Sequence, residues 1–170
     1  MVNTDEQLAA LEEAVGDGTG GNGEVFFVGR NQAYEAYVTG QLRKFNLTHA
    51  ASLASNSEPV PLEIYTLDAA GHVIAGLVGK TVWGWLEIGV LWVEEQRRGQ
   101  GLGSALIRRV EDEARQRGCV AARLSTFDFQ ASGFYERLGY VSYGRLDGYP
   151  ADHTVHYFRK DLLKRPDERA

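Results

Sequence analysis

Gln96-Arg97-Arg98-Gly99-Gln100-Gly101-Leu102-Gly103-Ser104 stands between an apolar stretch, Leu86 to Val93, and a segment of helical periodicity. A glycine-rich turn that opens a helix leaves several main-chain N–H groups without intrahelical acceptors. The helix dipole adds positive potential at the same place, and glycines let a ligand come close. The stretch therefore reads as a pyrophosphate cradle; the other reading is an ordinary strand–helix turn with glycines for tight packing. Two common cradles do not fit. A P-loop needs Lys and then Ser or Thr after its last Gly, whereas Ser104 and Ala105 follow Gly103. A dinucleotide fingerprint needs Gly at its sixth position, which counted from Gly99 is Ser104. The acidic residue expected at the end of the next strand is also missing from Leu124-Ser125-Thr126.

Outward from the turn, the pattern alternates strand and helix. The helix from about Gly101 to Arg117 turns Leu102, Leu106, Val110 and Ala114 inward. It carries Arg108/Asp112, Arg109/Glu113 and Glu111/Arg115 outside at i,i+4, with Gly118 placed to terminate it. A strand over Ala121 to Thr126, a short helix over Gln130 to Leu138, and closing strands over Tyr140 to Arg145 and Val155 to Lys160 follow. Upstream, Leu62 to Leu67 and His72 to Val82 form a hairpin across Asp68-Ala69-Ala70-Gly71. The chain turns again at Trp83-Gly84-Trp85 into Leu86 to Val93, apolar on both faces as a central strand would be. Val25-Phe26-Phe27-Val28 reads as a first strand, and Asn31 to about Asn46 as a helix with Tyr34, Tyr37, Val38, Leu42 and Phe45 on one side. Thr4-Asp5-Glu6-Gln7 is a capping-box pattern before a short helix, and residues 16–23 read as a flexible linker. The organisation expected is an appendage at 1–23, a domain at 24–165 and a tail at 166–170.

Composition narrows the classes. The chain has 170 residues, 44% hydrophobic and 24% charged, as in a globular domain with a real core. A net charge of −5 leaves no basic footprint for nucleic acid. No apolar run approaches a membrane span, and the N-terminus lacks a signal-peptide pattern. A lone Cys119 excludes an internal disulfide and reads as a packing residue; a cytoplasmic location is the expectation. His49, His72, His153 and His156 show no metal-ligand spacing, so no metal is expected, and His153 and His156 read as surface or packing residues.

Two blocks carry a resemblance. Gln96-Arg97-Arg98-Gly99-Gln100-Gly101 has the form Gln/Arg-x-x-Gly-x-Gly. Ala131-Ser132-Gly133-Phe134-Tyr135-Glu136-Arg137-Leu138-Gly139-Tyr140 has the form Ala-x-x-Phe/Tyr-Tyr-x-x-x-Gly-Phe/Tyr. Together, with one strand between them, they resemble the GNAT superfamily of N-acetyltransferases, over roughly residues 24 to 163. The resemblance implies an α/β (α+β) fold of three αβα layers with a splayed central mixed sheet. It implies acetyl-coenzyme A as co-substrate and direct transfer of its acetyl group to a primary amine of a small molecule or peptide, within a ternary complex. A non-catalytic acyl-coenzyme A binding module or sensor is the other function the cradle fits. Homodimers are common in the family.

The resemblance also assigns roles. The pantetheine arm would pair with Leu91, Trp92 and Val93 like an added strand, and main-chain amides of Arg98, Gly99, Gly101, Gly103 and Ser104 would face the phosphates. Arg97 and Arg98 would pair with phosphate oxygens, or be solvated loop charges. Tyr135 matches the tyrosine that protonates the departing thiolate; on the residues alone it is either that acid or a core aromatic. Phe134 and Leu138 suit the core, which leaves Tyr135 for the cleft. Glu87 is the candidate base, because strict alternation puts it on the face of Gly89, Leu91 and Val93; pairing with an arginine is the other reading. Asp128 stands where many relatives have an Asn that positions coenzyme. It would contact coenzyme, attract a cationic acceptor, or cap the Gln130 helix.

Overall fold

The computed structural model describes residues 26–50 and 58–163. The chain divides into two units, one to Ala51 and one from Ser52. The expected appendage at 1–23 and tail at 166–170 lie outside the described residues.

In the first unit, helix α1 spans Gln32–His49. Asn31 caps it, its side-chain oxygen accepting from the N–H of Ala33 at 3.0 Å and of Tyr34 at 3.1 Å. The expected apolar stripe is present, with Tyr37, Val38, Leu42 and Phe45 all exposed. The strand expected at Val25–Val28 is corrected: Phe26 to Val28 are irregular. Val25 lies outside the described residues; a strand is defined by its ladder, and among the described residues no ladder includes Phe26 to Val28.

The second unit is built on a six-stranded sheet in the order β1-β2-β3-β4-β6-β5. Its strands are β1 (Val60–Leu67), β2 (Val73–Val82), β3 (Trp85–Val93), β4 (Ala121–Phe127), β5 (Val141–Asp147) and β6 (Thr154–Asp161). Every pairing is antiparallel except β3 with β4. That one parallel pair requires a crossover, which α2 (Leu102–Gln116) supplies. A short helix α3 (Ser132–Arg137) connects β4 to β5. The sheet is mixed, as expected.

Turn chemistry agrees with the residues. Asp68 closes the β1–β2 hairpin, its carboxylate accepting from the N–H of Ala70 at 2.8 Å and His72 at 2.9 Å. Trp83 and Gly84 both have positive φ, 51° and 73°, as a two-residue type I′ turn requires. At the end of α2, Gly118 sits at φ 80° while its N–H reaches Arg115 O, and Cys119 N–H reaches Ala114 O at 2.9 Å. This is a Schellman motif. Gly118→Ala is expected to cost about 1 kcal/mol of stability, read by urea denaturation, because a Cβ disfavours the left-handed region.

The core joins α2 to the sheet through Leu106, Ile107, Val110 and Ala114 against Leu77, Leu86, Leu124 and Phe158. Cys119 is buried among them, and burial pushes its thiol up from the usual range. One surface expectation is corrected. Glu111 is 2% exposed, and Lys160 of β6 donates to its two oxygens at 2.8 and 2.6 Å. The i,i+4 pattern with Arg115 is present at 3.6 Å, but the stronger partner lies across the core on another element. Among the described residues no helix is long and apolar enough to cross a membrane.

Candidate active site

The site begins with a pairing that stops early. β3 and β4 are in register only from Trp85/Ala121 to Ile88/Leu124. Beyond that pair the strands part, leaving main-chain groups of β3 without a β4 partner. On its other side β3 follows β2, but Val78 pairs Val90 while Gly79 pairs Ile88, so Gly89 is the extra residue of a β-bulge. The splay opens a cleft of about 910 Å³.

The glycine-rich turn forms one end of that cleft. After a 3-10 turn at Glu95–Arg97 the chain passes Gly99 at φ 75° and Gly101 at φ 85° into α2. Gly101 is the helix N-cap and offers no side chain to the first-turn amides. Those amides therefore face the cleft as free donors. A Cβ on Gly99 or Gly101 would meet no protein atom within 4 Å, so both positions open onto empty space. Gly103 differs: a Cβ there would come within 3.3 Å of the Phe134 ring and 3.7 Å of Val93. Its glycine is set by packing of α2 against α3 and β3. Arg98 donates through Nε to the Val93 carbonyl at 3.2 Å, and Arg97 lies 3.8 Å from Glu94. Each guanidinium keeps further donors for an anion. An unpaired strand edge, uncapped helix amides and two flanking arginines fit the coenzyme's pantetheine and phosphates.

Of the residues singled out in the sequence, Leu91, Trp92, Val93, Arg97, Arg98, Gly99, Gly101, Gly103, Ser104 and Tyr135 all line this one cleft. Tyr135 reaches it from α3. Its ring packs against Phe134, Tyr140 and Phe158 at 5.1, 5.9 and 6.2 Å between centroids. The expected division between a core Phe134 and a cleft Tyr135 is corrected. Both line the cleft, and Tyr135 is the more deeply buried at 8% exposure. Burial pushes its phenol above the usual range, so it is held protonated.

Glu87 is not with them. The alternation that put it beside Leu91 and Val93 fails at the Gly89 bulge, which flips the strand by one residue. Leu86 and Ile88 before the bulge, and Leu91 and Val93 after it, share the core face. Glu87 therefore shares the opposite face with Val90 and Trp92. It lines a separate cavity of about 440 Å³ with Trp83, Trp85, Arg123, Tyr143 and Arg159. Arg123 donates to its Oε1 through Nε at 3.0 Å and through a terminal nitrogen, and Lys80 lies at 3.4 Å. The arginine-pairing alternative describes this geometry.

Asp128 is also outside the cleft-lining set, and it does not cap α3, whose N-cap is Ala131 without a side-chain bond. It accepts instead from Phe129 N–H at 2.8 Å and from His153 Nδ1 at 3.1 Å. Partial desolvation pushes its carboxyl up. Backbone hydrogen bonds at Thr154 and Phe129 and the His153 ring outweigh that and hold it below the usual carboxylate range. The sequence reading missed His153, because its partner is 25 residues away. It also missed Gln130, which lines the cleft and whose Oε1 accepts from Thr126 Oγ1 and Phe127 N–H, both at 2.9 Å. Among the described residues no cluster of three His, Cys, Asp or Glu is arranged to hold a metal.

Comparison with known proteins agrees with this architecture. Residues 30–140 match the model of the acetyltransferase (GNAT) family. Blasticidin-S acetyltransferase of Streptomyces morookaense is 44% identical over 109 residues, covering 62% of this chain and 80% of that protein. The crystal structure of an acetyltransferase from Bacillus cereus ATCC 14579 superposes with a TM-score of 0.74 at 26% identity, over 80% of this chain and 96% of that one. An aminoglycoside 6′-N-acetyltransferase complexed with coenzyme A shares the fold, with a TM-score of 0.57 at 22% identity over 65% of this chain and 77% of that one. Cradle, splayed strands, helix order and sequence all converge: the chain belongs to the GNAT family of acetyltransferases.

Proposed function

We propose that this enzyme moves the acetyl group of acetyl-coenzyme A to a primary amine of a small molecule, by direct attack within a ternary complex. One observation carries the reading: the unpaired edge of β3, the uncapped amides of α2 and the protonated Tyr135 phenol open into the same cleft. A fold relative solved with coenzyme A supports the donor, and the similarity to an enzyme named for blasticidin S supports a small-molecule acceptor. Acetyl-coenzyme A supplies an activated thioester. The residues of the chain do the rest. Leu91, Trp92 and Val93 offer main-chain pairing to an extended arm, as in strand addition. The amides from Arg98 to Ser104, with Arg97 and Arg98, hold the phosphates. Tyr135 gives its proton to the departing sulfur, a step for which a phenol kept protonated by burial is suited.

Calorimetric titration with acetyl-coenzyme A, followed by thiol release across a panel of primary amines that includes blasticidin S, tests the proposal. Binding followed by thiol release with an amine is expected. Absence of binding overturns the donor assignment, and binding without release to any amine overturns the transfer. Glu87 enters this reading as a sheet anchor. Glu87→Gln is expected to leave the pH–rate profile in place and to change stability by less than about 1 kcal/mol, as for a partly exposed ion pair. A lost or displaced limb in that profile would return Glu87 to the chemistry.

A further inference from the structure

We propose that His153, oriented by Asp128, is the base that takes the proton of the acceptor amine, and that the exposed rings of Phe129 and Tyr149 form the platform along which a cationic acceptor reaches it. This rests on the acetyl-transfer reading above and names the acceptor side of the same site.

The argument starts from position. β3 and β4 are parallel, so their carboxyl ends lie at the same edge of the sheet, and this is the edge where they splay. Ligands of α/β sheets bind beyond such carboxyl ends. Asp128 directly follows β4, and its N–H donates to Thr154 O at 2.9 Å, which ties the start of β6 to the same edge. His153 directly precedes β6. Its Nδ1 donates to Asp128 Oδ1 at 3.1 Å, so in the neutral ring Nε2 is left as the acceptor. The Asp128 carboxylate is itself fixed by the Phe129 amide at 2.8 Å. The imidazole is thus aimed by a second residue, the arrangement a general base needs.

The link to the cleft is Phe129. Its ring lies edge-on to His153 at 4.7 Å and stacks on Phe127 at 5.2 Å, and Phe129 lines the coenzyme cleft. Tyr149 joins through Phe127 at 6.3 Å. Phe129 is 58% exposed and Tyr149 56% exposed, so both ring faces are open to a ligand. Aromatic faces attract alkylammonium ions. Acidic groups stand on the segments that carry them, Asp128 on the β4–α3 turn and Asp152 on the hairpin of His153 itself, while Arg97, Arg98 and Arg137 line the cleft with Phe129. Asp147 on that hairpin is held by Arg145 at 3.3 Å and takes the Thr154 hydroxyl at 2.9 Å. The Tyr149 N–H donates to the His153 carbonyl at 2.9 Å, so platform and base sit on one closed turn.

The proton balance closes. One proton of the ammonium passes to His153 Nε2 and on to solvent. The neutral nitrogen bonds to the acetyl carbon as the carbon–sulfur bond breaks. The sulfur takes the Tyr135 proton, and the second proton lost by nitrogen restores the phenol. The products are the acetamide, the free thiol and one released proton.

The test is the pH dependence of kcat/KM for His153→Gln and Asp128→Asn, with blasticidin S and the amine panel as acceptors, alongside calorimetry of acetyl-coenzyme A. His153→Gln is expected to lose about 10- to 10²-fold near neutrality with coenzyme affinity unchanged. It is also expected to lose the acidic limb of that profile, the signature of an imidazole acting as base. Asp128→Asn is expected to lower kcat by a smaller factor with coenzyme affinity unchanged, because the imidazole loses the carboxylate that orients it. A wild-type acidic limb preserved in His153→Gln overturns the proposal. If that variant binds coenzyme poorly, Asp128→Asn decides, and a wild-type kcat there overturns it. Wild-type protein that binds acetyl-coenzyme A but acetylates no amine fails at the transfer step instead, and the base falls with it.

Discussion

Tyr135→Phe is expected to lower kcat by about 10²- to 10³-fold while leaving acetyl-coenzyme A affinity within about twofold. The substitution removes one oxygen and keeps the ring, so the packing against Phe134, Tyr140 and Phe158 survives. What is lost is the proton. Without it the sulfur must leave as a bare thiolate with no phenol to protonate it. Because burial raises the phenol above its ordinary value, the wild-type enzyme keeps this acid through the neutral and mildly alkaline range. Its rate should therefore show no loss below about pH 10 from this group. Thiol release measured under saturating coenzyme and acceptor gives kcat directly, and calorimetry gives the affinity. A Phe variant with wild-type kcat would reduce Tyr135 to a core aromatic.

Gly101→Val is expected to weaken acetyl-coenzyme A binding by about 10³-fold, roughly 4 kcal/mol, while stability falls by only about 1–2 kcal/mol. The two readouts separate because of the surroundings. A Cβ at Gly101 meets no protein atom within 4 Å, so the folded chain has room for it and suffers only the left-handed φ of 85°. The space a valine would fill is the space in front of the free α2 amides. A ligand whose phosphates accept from those amides would be pushed off them, and each charge-assisted bond lost is expensive. Gly103→Ala is the comparison. Its Cβ presses on Phe134 at 3.3 Å, so it should disturb packing first and binding second. Calorimetry and urea denaturation on the same samples resolve the pair. Wild-type affinity in Gly101→Val would empty the proposed cradle.

Much of this was legible in the chain because it is local. Glycine punctuation told where α2 begins and ends, since Gly101 and Gly118 occupy left-handed positions that a side chain resists. The hairpins announced themselves through Asp68 and Gly71 and through Trp83-Gly84. The cradle and the tyrosine block stood as continuous motifs, and the fold brings them to one cleft. The misreadings share a different cause. Val25–Val28 looked like a strand, but a strand is made by its neighbours. Glu111 looked like a surface charge, but Lys160, 49 residues away, buries it as an ion pair.

Glu87 and Asp128 are the most instructive. Strict alternation put Glu87 in the cleft, and a single extra residue at Gly89 turned it to the other face, where Arg123 and Lys80 hold it. The one local hint was Gly89 itself, since a glycine inside a strand often marks a bulge, but a bulge is a mismatch between two strands and only their pairing fixes it. Asp128 was read as a helix cap, a coenzyme contact by resemblance or a lure for a cationic acceptor, while its partner, His153, arrives from the far side of a hairpin.

By itself the sequence determined most of the elements and put the glycine-rich turn at the start of α2, because these depend on residues adjacent in the chain whose backbone preferences act over one or two turns; the role proposed for Tyr135 came from the family resemblance. Only the tertiary structure decided where β3 and β4 part, which face Glu87 takes and which histidine Asp128 orients. Those are matters of register between distant segments, and register is set by the packing of the whole sheet.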